Sequence, residues 1–179
     1  DFAQVEVDAQ QVNLTRFNLF FPEKRDYFLE SQTVFAFGGA GGRMWGNSRV
    51  PIMFFSRRIG LQNGVMVPIT GGARLTGRVG PYTVGAMSIR TDSSQAAGAD
   101  ATTFSAFRVR RDVFSRSAIG LIATDRSASL VGDGSSQTFG IDAAMAFYQN
   151  IEVNAYYAVS RSPNATRGRS SYRAQFRYA

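Results

Sequence analysis

Arginine and carboxylate are the only side chains in this chain placed densely enough for ionic chemistry. The 179 residues contain no cysteine and no histidine. That removes thiol and imidazole nucleophiles, His- or Cys-ligated zinc, and disulfides. Two short runs concentrate charge, Glu23-Lys24-Arg25-Asp26 and Ser56-Arg57-Arg58. The aromatics beside them, Phe20, Phe21, Tyr27, Phe28, Phe54 and Phe55, would anchor both runs against something apolar. Two arrangements fit. In one, Glu23, Lys24, Arg25, Asp26, Arg57 and Arg58 pair as an internal network and fix an inward-folded, plug-like segment. The planar guanidinium fork suits that role because it makes bidentate contacts to carboxylates. In the other, both runs are ordinary solvated turns.

The remaining chemical candidates are weak. Glu6 and Asp8 share one face of a candidate strand, about 7 Å apart by strand rise, with Asp1 nearby. Glycosidase carboxylates come from different strands, with one acid buried, so a polar-face role is expected for these three. The stretch Gly38–Arg43 is rich in glycine but lacks the Gly-Lys-Ser/Thr ending of a phosphate loop, so a flexible loop is expected. Asn13-Leu14-Thr15 and Asn164-Ala165-Thr166 match the glycosylation sequon, a motif that occurs often by chance. No catalytic residue, metal site or cofactor is expected.

The formal net charge is +7, and Lys24 is the only lysine, so the positive charge is almost all arginine. The arginines recur at alternating positions: Arg74 and Arg78, Arg108 and Arg110, Arg173 and Arg177. That spacing spreads charge along strand faces instead of gathering it in one basic run. Lining of a watery lumen and contact with lipid headgroups explain it better than nucleic acid, which is not expected as a partner.

The elements that must carry these residues read as long strands. Phe139, Ile141, Ala143, Met145 and Phe147 alternate with Gly140, Asp142, Ala144, Ala146 and Tyr148. After a turn at Gln149-Asn150 the alternation resumes from Ile151 to Ser160, and again from Ser171 to Tyr178. Successive side chains of a strand point to opposite faces, so each run has one apolar and one polar face. Runs of about 10 residues suit tilted strands that cross a bilayer, and short turns alternating with longer polar loops complete that signature. Charged residues are 18%, aromatics 13%, and mean hydropathy is −0.14. No stretch is apolar for long enough to be a transmembrane helix.

The chain is therefore expected to be all-β, an antiparallel up-and-down barrel of the outer-membrane type or part of one, with roughly ten strands in this segment. Residues 1–179 read as a single barrel segment of a longer protein, since both ends fall within alternating runs. Residues 1–60 would hold leading strands and the inward-folded segment, and 61–179 the regular hairpins. Strands are expected at Phe2–Val7, Val12–Phe21, Thr33–Phe37, Pro68–Gly80, Tyr82–Thr91, Phe104–Arg111 and Ala118–Thr124, besides the three runs above, and Ile52–Phe55 is an apolar stretch that leads into Ser56-Arg57-Arg58. Residues 22–30 suit a tight turn or one short helix, and Asp92–Thr102 and Asp125–Ser136 suit surface loops. Leu75, Val79, Phe139, Ile141, Phe147, Ile151, Val153, Tyr157 and Phe176 would face lipid. Arg74, Arg78, Arg108, Arg110, Asp142, Glu152, Asn154, Arg173 and Arg177 would face the lumen and could bind anionic solutes or an acidic plug.

Several strings go beyond pattern: Asp1–Asp8, Gln11–Phe17, Phe20–Glu30, Phe54–Gly60, Val67–Ile69, Gly71–Arg78 and Val109–Asp112. They resemble the DUF5916 family of bacterial envelope proteins. The resemblance implies a secreted protein with an N-terminal carbohydrate-binding-module-like β-sandwich and a C-terminal region similar to an outer-membrane barrel. This sequence would be the first part of that region, and the resemblance supplies no catalytic motif to carry over.

Three functions stay open at this point. The first is an envelope barrel that transports solutes or anchors a carbohydrate-binding module. The second is a structural or assembly subunit of a larger outer-membrane complex. The third is a soluble β-domain associated with glycan hydrolysis. On the first reading the location is the bacterial outer membrane and the chain is not itself an enzyme. Its partners are the lipid bilayer, lipopolysaccharide and other envelope proteins. Carbohydrate would bind through a module outside this stretch.

Overall fold

A computed structural model describes residues 23–30, 32–38, 51–130, 133–164 and 169–178. The candidate strands Phe2–Val7 and Val12–Phe21, the carboxylates Asp1, Glu6 and Asp8, and all of Gly38–Arg43 but Gly38 lie outside them. Among the described residues two very short strands come first, β1 (Leu61–Gln62) and β2 (Val65–Met66). Seven long ones follow: β3 (Ile69–Val79), β4 (Tyr82–Thr91), β5 (Thr102–Phe114), β6 (Ser117–Arg126), β7 (Ser136–Phe147), β8 (Ile151–Arg161) and β9 (Ser170–Tyr178). Each long strand pairs antiparallel with the next, so the sheet is a meander in chain order. Among the described residues it is open, with β3 and β9 as its edges.

The short connections all lie at one end. Gly80-Pro81 joins β3 to β4, with Gly80 at φ +56°, and Tyr148 begins the β7–β8 turn at φ +55°. The loop from 92 to 101 lies at the other end, where β6 also ends and β7 begins, and where β8 ends and β9 begins.

Register fixes the two faces. One cross-strand row runs Arg74, Met87, Ala106, Thr124, Thr138, Ser160. The next runs Thr76, Gly85, Arg108, Ile122, Gly140, Ala158, Ser171. A third runs Arg78, Thr83, Arg110, Gly120, Asp142, Tyr156, Arg173. These rows form the face we call inner. The residues between them make the outer face, including a row of Gly77, Val84, Val109, Leu121, Ile141, Tyr157 and Tyr172.

The core lies on the inner face, where residues 23–30, 32–38 and 51–60 pack across the sheet. They contribute a one-turn helix, α1 (Asp26–Leu29), and a 3₁₀ turn, η1 (Ser56–Arg58). Phe28, Phe35 and Ile59 pack with Met87, Ile89 and Ala106 of the sheet, and Tyr27, Val34, Phe54, Ile69 and Phe104 close the edges. Phe37 packs with Ile122, Tyr156 and Ala158, flanked by Met53 and Phe54. Each fully buried side chain of this size contributes about 1.5–3 kcal/mol of transfer free energy.

The expected strand at Thr33–Phe37 does not form. Phe35 and Phe37 instead descend from a run of turns, and their burial outweighs the strand propensity that alternation suggested. The loop after β4 is not wholly a surface loop, because Ala97 and Ala99 are buried against Val67. The β1–β2 hairpin turns at Asn63-Gly64, with φ +52° and +76°. Asn-Gly is the favoured pair for a two-residue hairpin turn. Strands of two residues show no periodicity, so the dipeptide was its only sequence signal.

Candidate functional site

The covering segments are tied together by one buried ion pair. Arg25 Nε donates to Glu23 Oε1 and Arg25 Nη2 to Glu23 Oε2, both at 2.8 Å. Ser56 Oγ donates to Glu23 Oε2 at 2.6 Å. Arg25 also donates to the carbonyls of Ser56 at 2.8 Å and Ile59 at 2.9 Å. Its guanidinium lies over the Phe28 ring at 4.2 Å. Burial alone would raise the Glu23 pKa. The hydrogen bonds from Arg25 and Ser56, with the charge of Arg25, outweigh it and hold the carboxyl below its usual value. Of the other members of the expected network, Arg57 is buried, while Lys24, Asp26 and Arg58 are exposed.

Two further contacts fasten these segments to the sheet. Arg74 of β3 pairs with Glu30 and donates to the Tyr27 carbonyl. Its guanidinium stacks over the Tyr27 ring at 4.8 Å. Burial raises the pKa of the Tyr27 hydroxyl, and Arg74 offsets part of that. Across the centre, Arg108 of β5 reaches over Gly120 to Asp142 of β7. The pair is bidentate, with Nη2 donating to Oδ2 at 2.9 Å and Nη1 to Oδ1. The Gly38 backbone N–H donates to the same Oδ2 at 3.1 Å. Arg108 and Asp142 are 2% and 8% exposed, and Phe37 covers the guanidinium at 5.8 Å.

The nine residues proposed from sequence as lumen-facing share one face of the sheet. They fall into two groups. Arg74, Arg108 and Asp142 contact the covering segments. Arg78, Arg110, Glu152, Asn154, Arg173 and Arg177 lie toward the short-turn end. There Arg78 pairs with Asp112 at 2.7 Å, Arg110 approaches the same carboxylate at 3.8 Å, and Arg177 meets Glu152 at 3.1 Å. Arg173 donates to Gln175 at 2.6 Å. Asn154 sits between Ala144 and Gln175 in the register.

Sequence reasoning missed the seat itself: Phe35, Phe37, Tyr156 and the glycines Gly85, Gly120 and Gly140. A glycine inside a strand marks a close approach. Three on the inward register of neighbouring strands were the available signal.

The carboxylates that contact arginines on this face are engaged in ion pairs, which suits holding and charge display. No group of three or more His, Cys, Asp or Glu side chains that could hold a metal ion occurs among the described residues. No helix among them is long and apolar enough to cross a membrane.

No curated protein and no solved structure matches the chain. A family does match, over residues 1–68, described as a domain of unknown function. That stretch includes both covering segments and the β1–β2 hairpin, and it stops just before β3. Over those residues the chain is similar to the DUF5916 family.

Proposed function

We propose that this chain is a wall segment of an outer-membrane β-barrel that anchors a bacterial envelope protein or passes solutes. The observation that carries this reading is the outer face. Leu75 and Val79 are 72% and 74% exposed, and Phe107, Ile119, Leu121, Phe139, Ile141, Tyr157, Tyr172 and Phe176 stand exposed beside them. Seven strands with an apolar stretch of eight steps, as from Phe139 to Phe147, present roughly 800 Å². Soluble monomers rarely leave a contiguous apolar patch above about 300–600 Å².

The face is also zoned. The apolar stretch is about 27 Å along a strand, and a tilt of about 40° brings its height near 20 Å, close to the apolar band of such barrels. Beyond it, at the long-loop end, comes a polar row of Ser88, Ser105, Asp125 and Gln137. At the short-turn end Tyr82, Phe114, Tyr148 and Tyr178 are exposed. An aromatic rim there suits the membrane–water interface, and short turns suit the periplasmic side. On this reading the edges β3 and β9 pair with further strands, because lipid leaves no unpaired backbone satisfied.

The test is heat-modifiability of the full-length protein in the outer-membrane fraction. A band that shifts on gels only after boiling is expected. An unshifted band in the soluble fraction would overturn the barrel reading and favour a soluble β-domain.

A further inference from the structure

The inner-face rows that carry Arg108 and Asp142 also carry three glycines, and each leaves room for something specific. A Cβ on Gly85 would stand 2.7 Å from Val34 and 3.1 Å from the Phe35 ring. One on Gly140 would stand 2.7 Å from the Phe37 ring and 2.9 Å from Met53. One on Gly120 would stand 2.7 Å from the Arg108 guanidinium. Glycine in a strand interior costs stability and offers no side chain to pack. Here two of them form sockets for side chains from residues 34–37 and 53, and the third clears the path of the ion pair beneath.

Residues 32–38 add no strand to the sheet. They are held against the wall by aromatic packing and by the Gly38 N–H bond to Asp142, the same carboxylate that neutralises Arg108. Phe37 lies 5.5 Å from the ring of Tyr156, which stands beside Asp142 in the same cross-strand row. The contact is thus side chain into socket, with one charged node, and not a ladder of backbone bonds.

We propose that residues 32–38, backed by 51–57, are a resident plug that keeps the inner face closed, latched at the Asp142–Arg108 pair. The inference rests on the barrel reading above. It concerns what the inner face does, where that reading rests on the outer one. Removal of the plug would uncover an arginine-rich surface at the level of Arg108, continuous with Arg78, Arg110 and Arg173, so the opened passage favours anions.

The experiment is conductance of the full-length protein in planar lipid bilayers. Wild type is compared with Asp142→Asn, which removes the charge of the latch, and with a Phe35→Ser/Phe37→Ser double variant, which changes no strand. Wild type is expected to stay mostly closed. Each variant is expected to raise the open fraction about tenfold or more, with anions preferred; tenfold corresponds to ~1.4 kcal/mol. A wild type already as open as the variants overturns the proposal. So does a variant that keeps its heat-modifiable band yet stays closed. Failure of both variants to give that band also overturns it, because the segment is then core and not plug. Absence of the band in wild type sinks the barrel reading first, and the two failures are therefore distinguishable.

Discussion

Two halves of the inner face use the same arginine–carboxylate chemistry to different ends. Toward the middle, Arg108 and Asp142 are buried, bidentate and capped by Phe37 and the Gly38 N–H. Toward the short turns, Arg78 and Asp112 meet at 2.7 Å with the arginine side chain 65% exposed. Equal contact distances therefore carry unequal weight, because solvent screens one pair and not the other. Cutting one partner from each pair exposes the difference. Asp142→Ala leaves a buried guanidinium uncompensated and should cost about 3–5 kcal/mol in denaturant unfolding of the detergent-solubilised protein. Asp112→Ala should cost about 0–1 kcal/mol. Equal losses would mean that the burial of Arg108 does not persist in solution.

The outer face sharpens the contrast, since its energetics depend on what surrounds it. Leu121 is 56% exposed at the centre of the apolar belt, between Val109 and Ile141. In lipid, Leu121→Arg should destabilise by roughly 2–4 kcal/mol, the cost of a cation near the bilayer midplane. In water the same change at an exposed site should be nearly neutral, within about 0.5 kcal/mol. Unfolding in vesicles separates the two, and a neutral result there would oppose the membrane reading.

The sheet was far more legible in sequence than the segment that covers it. Tyr82–Thr91 was bounded correctly from the Gly80-Pro81 turn and period-2 alternation, because one-faced burial writes itself directly into a strand. Alternation also assigned Arg108 and Asp142 to one face, though it could not say that they touch across Gly120. The covering segments follow no period. Phe35 and Phe37 are placed by sockets on distant strands, Gly85 and Gly140, so the pattern at 33–37 looked like a strand and was not one. The charges of Glu23 and Arg25 fitted an internal network and a solvated turn equally well, and no spacing rule could name Ser56 and the Ile59 carbonyl as their partners.

Glycines offer a smaller test of the same division. A valine at Gly140 would collide with the Phe37 ring and Met53, whereas nothing lies within 4 Å of a Cβ at Gly77 on the outer face. Gly140→Val should therefore destabilise by about 1–3 kcal/mol through overpacking. Gly77→Val should be close to neutral or slightly favourable, since a β-branched residue suits an open strand position. Thermal unfolding of both variants in the same detergent decides it. A loss at Gly77 equal to that at Gly140 would show that strand geometry, and not the seated phenylalanine, demands the glycine.

The smallest expected effect is a pH dependence confined to the covering segments. The Glu23 carboxyl is held below its usual pKa in the folded protein by Arg25 and Ser56. A group with a depressed folded pKa contributes stability above its unfolded pKa, and that contribution fades as pH falls through the folded value. Acid should therefore loosen the Glu23–Arg25–Ser56 junction while the seven-stranded ladder persists. Glu23→Gln should be less stable than wild type at neutral pH, and its stability should fall less between about pH 5 and the folded pKa. Amide exchange at residues 25–30 and 56–59, followed against pH in both proteins, reads that difference locally. Parallel acid profiles for the two proteins would place the acid sensitivity outside this junction.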